Sequence, residues 1–132
     1  MVRYDIELVE LMSGFAALAW GLWLLNPATD SFLSTPTFDT MKVLAPEEVW
    51  GVVMVIVGFF QVYGVVSHRL SVRKHSSIAL SIMWLFITAV FAHSNLASTA
   101  VVIYAVFTAF TVWSYLRLSQ RVEITSKYSK AR

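Results

Sequence analysis

The chain has 132 residues, enough for one domain and no more. Hydrophobic residues make up 58% of it and charged residues 14%, too few charges to cover a soluble domain, so the composition is that of an integral membrane protein. The net charge is only +2, with the basic residues gathered at segment edges, which excludes a broad nucleic-acid-binding face; the lack of cysteine excludes disulfides, thiolate metal sites, iron–sulfur clusters and dithiol redox chemistry.

The first apolar segment covers about residues 6–25 and stops at Asn26-Pro27, because the residue before a proline is biased away from helix. The start does not read as a signal peptide: Arg3 is followed by Asp5, Glu7 and Glu10, where a positive region would be expected. Glu10 falls near the cytoplasmic end of this segment, and snorkelling to the interface is its expected behaviour. Small multidrug transporters also carry a glutamate in the first of four helices, but nothing else in the chain matches them. The outer loop, 26–46, contains "TPTFDTMKVL", which reads as a short interfacial helix capped by Thr35, started by Pro36 and striped by Phe38, Met41 and Leu44.

The second helix is expected over about 47–68, with Pro46 in its first turn and Glu47 and Glu48 at the positive end of its dipole. Residues 76–116 carry no formal charge. One helix of that length would span roughly 60 Å, about twice a hydrocarbon core, so the run must fold back. The polar triplet His93–Ser94–Asn95 marks the turn, giving helices at about 76–92 and 96–117 within a four-helix domain over 1–118. A polar, basic tail follows over 119–132, read as a frayed helix end and then disorder.

Arg69, Arg73 and Lys74 in the second connection, with Arg117 and Arg121 at the start of the tail, determine the topology: both termini and that connection are expected in the cytoplasm. The fold class is therefore an all-α, integral membrane four-helix bundle in the cell inner (cytoplasmic) membrane. Trp23 and Trp50 fall near the outer boundary, and Tyr63, Trp113 and Tyr115 near the inner one, as aromatic belts.

Each segment carries a face of small or polar residues. These faces are Glu10, Gly14, Ala17 and Gly21; Met54, Gly58, Gln61, Gly64 and His68; Ser77, Ser81, Leu85, Thr88 and Ala92; Tyr104, Thr108, Thr111 and Tyr115. Small residues let helices approach closely in lipid, and hydroxyls and amides bond across the contact, so these positions are candidates for helix packing or an oligomer interface. Gln61 cannot stay unpaired in hydrocarbon. Its candidate partners are Thr88, Thr108 and Ser81, or the same glutamine of a second subunit.

No nucleophile stands with a base, and no glycine-rich loop precedes a helix, so no enzymatic activity and no cofactor are expected. His68, His75 and His93 lie at segment edges, a poor arrangement for haem or metal. The stretch "PEEVWGVVMVIVGFFQVYG", with Pro-Glu, Trp-Gly and Gly58-x-x-Gln61-x-x-Gly64 before an arginine-containing loop, resembles small four-helix membrane proteins of tailed bacteriophages, the holin type. That resemblance implies oligomerisation and permeabilisation of a host membrane. DoxX-type membrane proteins are similar in size and helix count. The residues themselves favour a non-catalytic membrane protein that assembles with itself or in a larger complex, in contact with lipid and not with nucleic acid; the resemblance implies that such a complex is phage-encoded. Channel-like permeabilisation and a small transporter or redox subunit are the alternatives.

Overall fold

The computed structural model describes residues 2–28 and 38–132. Among the described residues it contains five helices and no strand: α1 (Val2–Leu25), α2 (Asp39–Leu44), α3 (Glu47–Val66), α4 (Leu70–Ser94) and α5 (Thr99–Lys130). Four of them are long and apolar enough to cross a membrane, and α2 is the exception. The long helices form an antiparallel ring in which α1 packs on α3, α3 on α4 and α4 on α5, with a thinner contact closing α5 back onto α1.

Glycine makes the α1–α3 contact possible. A Cβ added at Gly58 would lie 2.8 Å from the Gly14 carbonyl oxygen, and one at Gly21 would lie 2.8 Å from that of Gly51. The two backbones touch at both points, and any side chain there would push them apart. Ala17 lies fully buried between the two contacts. Gly51 was not among the expected packing positions, although its distance from Gly58 equals that between Gly14 and Gly21. On the other side of the ring, Thr88 and Thr108 bring their hydroxyls within 3.5 Å across α4 and α5. Trp84 fills the centre, 1% exposed, stacked on Tyr104 and Phe107 and edge-on to Trp20. Leu85, assigned to the inner stripe of this helix, is 59% exposed, and the neighbouring Trp84 takes the inward position.

The connections depart from the expected ones in three places. First, α4 begins at Leu70, so Arg73 and Lys74 belong to a helix and not to a loop. The chain turns within Ser67, His68 and Arg69: the Arg69 N–H donates to Gly64 O (3.1 Å), the His68 N–H to Val65 O (3.2 Å), and His68 sits at φ 56. This six-to-one closure normally uses glycine at the left-handed position. It reverses the chain so quickly that no longer loop is needed, and nothing between 70 and 75 breaks a helix. Second, α4 runs on to Ser94 and α5 starts at Thr99, because Asn95 accepts from the Ala97 N–H and Ser98 caps α5 by accepting from Ala100. Third, α5 stays helical to Lys130, where a frayed, disordered tail was expected. That segment has no glycine or proline, and it carries a Glu123–Lys127 pair one turn apart at 3.0 Å.

The short α2 does not present its whole stripe to one surface. Phe38 and Met41 are buried against Leu24 and Val90, while Leu44 is 61% exposed. The Trp50 indole N–H donates to Met41 O at 3.2 Å, Phe38 meets Phe91 edge-on, and Trp50 stacks on Phe86. Thus α2 plugs the end of the ring. The cap at Thr35 and the helix start at Pro36 lie outside the described residues. Pro46 takes the N-cap of α3, one position ahead of the expected first turn.

Candidate functional site: a buried charged network

Glu10 of α1 and Arg73 of α4 meet in the interior, 0% and 2% exposed. Arg73 Nε donates to both Glu10 carboxylate oxygens, at 3.3 and 3.1 Å, and Nη2 also donates to Oε2. Nη1 reaches Glu7 Oε1 at 3.5 Å. Glu10 therefore does not snorkel, contrary to expectation. It faces inward on the stripe that continues through Gly14 and Ala17, and a cation is there to hold it. Arg73 must cross α3 to do this, and Gly64 makes room: a Cβ at Gly64 would lie 3.0 Å from Arg73 N and 3.1 Å from its Cγ.

One turn deeper sits Gln61, 1% exposed. Ser76 Oγ lies 2.6 Å from its Oε1, and Ser77 Oγ lies 3.3 Å from both its Oε1 and Nε2. The stem of Gln61 rests on Gly14, where a Cβ would come within 3.2 Å of Gln61 Cγ. The expected partners are elsewhere. Ser81 donates to Ser77 O, Thr88 to Trp84 O and Thr108 to Tyr104 O, each along its own helix, and Thr111, another of the stripe residues, donates likewise to Phe107 O or Thr108 O. A glutamine pair between subunits has no access, since Gln61 is enclosed and bonded within one chain.

Glu7, Glu10, Gln61, Arg73, Ser76 and Ser77 thus form one polar spine across α1, α3 and α4. Sequence reasoning missed its centre, although a signal was present: the Ser81–Ser77 stripe, extended back by one helical turn, lands on Arg73. Glu10 and Arg73 are separated by 63 positions, so only the fold brings them together.

Further basic residues gather at the same end. Arg69 holds the N-cap position of α4, Lys74 lies over Tyr115 (5.9 Å), and Arg117 over Trp113 (5.7 Å). His75 Nδ1 lies 2.7 Å from Ser71 O within its own helix, and His68 occupies the turn. No group of three or more histidine, aspartate or glutamate side chains that could hold a metal occurs among the described residues. Among the described residues, the buried hydroxyls of Ser13 on α1 and Ser114 on α5 find no hydrogen-bond partner. Comparison with known protein families, with curated proteins and with solved structures finds no match to this chain.

Proposed function

We propose that this chain is a multi-pass protein of the inner (cytoplasmic) membrane, with both termini in the cytoplasm, that acts without catalysis by assembling with further copies of itself. The observation that carries the reading is the distribution of polarity. The charges and the amide at depth are spent on one another inside a single chain, so the bundle holds together on its own. Its outer faces are left almost wholly apolar. The least covered helix is α5, with 11% of its apolar window buried against 33% for each of the other three. Between α5 and α1 an apolar groove of about 440 Å³ is lined by Val9, Met12, Val102, Val106 and Phe110, and Ser13, whose hydroxyl has no partner, also lines it. This flank suits a helix of a second copy packed along its apolar side chains.

Mass measurement of the chain in lipid nanodiscs tests the assembly, with disulfide trapping through a cysteine introduced at Val106. A strictly monomeric particle that never cross-links would overturn it. Orientation is tested by cysteine labelling at Ser71 and Val43, both exposed. Labelling of Ser71 from outside the cell would reverse the topology. Permeabilisation of the holin type would need Gln61, Thr88 and Thr108 to face water, and their bonding within the chain favours a dry interior. Unchanged membrane potential on induced expression is the expected outcome.

A further inference from the structure

The basic end of the bundle contains a cavity that assembly does not use. It has a volume of about 320 Å³ and is walled by His68, Leu70, Arg73, Arg121, Ile124 and Thr125, with no carboxylate among them. Arg121 continues the stripe of α5 formed by Thr111, Ser114 and Leu118, all buried, so its helical position turns it toward the bundle. It is half-buried, yet its guanidinium has no hydrogen-bonded or salt-bridged acceptor among the described residues. Glu10 lies near enough to feel its charge, but that carboxylate is held by Arg73. Glu123, the acid on this stretch of α5, is exposed and paired with Lys127. A neighbouring cavity of about 470 Å³ shares Leu70 and Thr125 and adds Lys74 and His75, again with no carboxylate.

A guanidinium offers five N–H donors in a planar fork that matches phosphate oxygens, and charge-assisted bonds of this kind are about twice as strong as neutral ones. We infer that this cavity binds a phosphate-type anion, gripped by Arg121 with Arg73 behind it. The anion is either the headgroup of an anionic phospholipid or free inorganic phosphate. Arg73 has a structural role through Glu10, whereas Arg121 is free to serve the ligand alone.

The test uses the full chain in nanodiscs of phosphatidylcholine alone and of equal parts phosphatidylcholine and phosphatidylglycerol. Inorganic phosphate is titrated against chloride at matched ionic strength, and the thermal midpoint is read by tryptophan fluorescence. A rise with phosphatidylglycerol alone identifies a headgroup site, and a rise with phosphate in phosphatidylcholine identifies a free-anion site. In either case Arg121→Gln should raise the half-saturating amount by about tenfold. Arg117→Gln, outside the cavity, should leave it unchanged. No rise from either source, or an equal rise in Arg121→Gln and the wild-type chain, overturns the proposal. Should Arg121→Gln fail to fold, Arg121→Lys decides, since it keeps the charge and loses the fork. Half-saturation identical to wild type in that variant also overturns the site.

Discussion

Breaking the Glu10–Arg73 pair should be costly, and its two halves should fail differently. Removing one member of a buried ion pair costs about 3–5 kcal/mol, because the other charge is left without compensation. With Arg73→Gln, Glu10 can escape by taking a proton, which costs a carboxylate of ordinary acidity about 3–4 kcal/mol at pH 7. That caps the loss. Folding of this variant then takes up a proton, so its deficit should shrink by about 1.4 kcal/mol for each unit the pH is lowered toward 5. With Glu10→Gln the stranded group is a guanidinium, which keeps its charge at any working pH. The new amide oxygen can still accept from it, but its remaining anionic partner is Glu7, at 3.5 Å and 15% exposed. This deficit should not shrink on acidification. The double change Glu10→Leu with Arg73→Met removes both charges and should lie within about 1 kcal/mol of wild type. The assay is detergent-solubilised protein unfolded by SDS and followed by tryptophan fluorescence at pH 7 and pH 5. A coupling energy below about 0.5 kcal/mol in the cycle closed by the single variants Glu10→Leu and Arg73→Met, or an Arg73→Gln deficit that does not change with pH, would refute the reasoning.

Three further outcomes follow from the packing. Gly58→Leu should destabilise by about 3 kcal/mol or more in the same unfolding assay, since the new side chain meets the α1 backbone where nothing can yield; a wild-type midpoint would count against the α1–α3 contact. Gln61→Leu should cost only about 0.6–2 kcal/mol, because Ser76 can turn its hydroxyl to Val72 O at 2.8 Å; a loss as large as that of Glu10→Gln would mean Gln61 has a second role. His68→Gly should stabilise by about 0.5–1 kcal/mol by relieving the left-handed strain at φ 56, and a lowered midpoint would show that the imidazole makes a contact worth more than the strain.

The all-helical class and the four long apolar segments were legible from composition and length alone, because these depend on local chemistry that each segment carries with it. The stops at Asn26-Pro27 and Pro46 were legible for the same reason. That Gly14, Ala17 and Gly21 share one face, and Gly58 and Gln61 another, also followed, since helical periodicity fixes which residues share a face. The tertiary structure alone decided which face meets which. It paired Gly21 with Gly51, placed Ser76 and Ser77 beside Gln61, and carried Arg73 across Gly64 to Glu10. Those partners are far apart in the chain, and no local rule relates them. An arginine beside a basic turn reads as a surface charge until another helix supplies a buried carboxylate within reach of it.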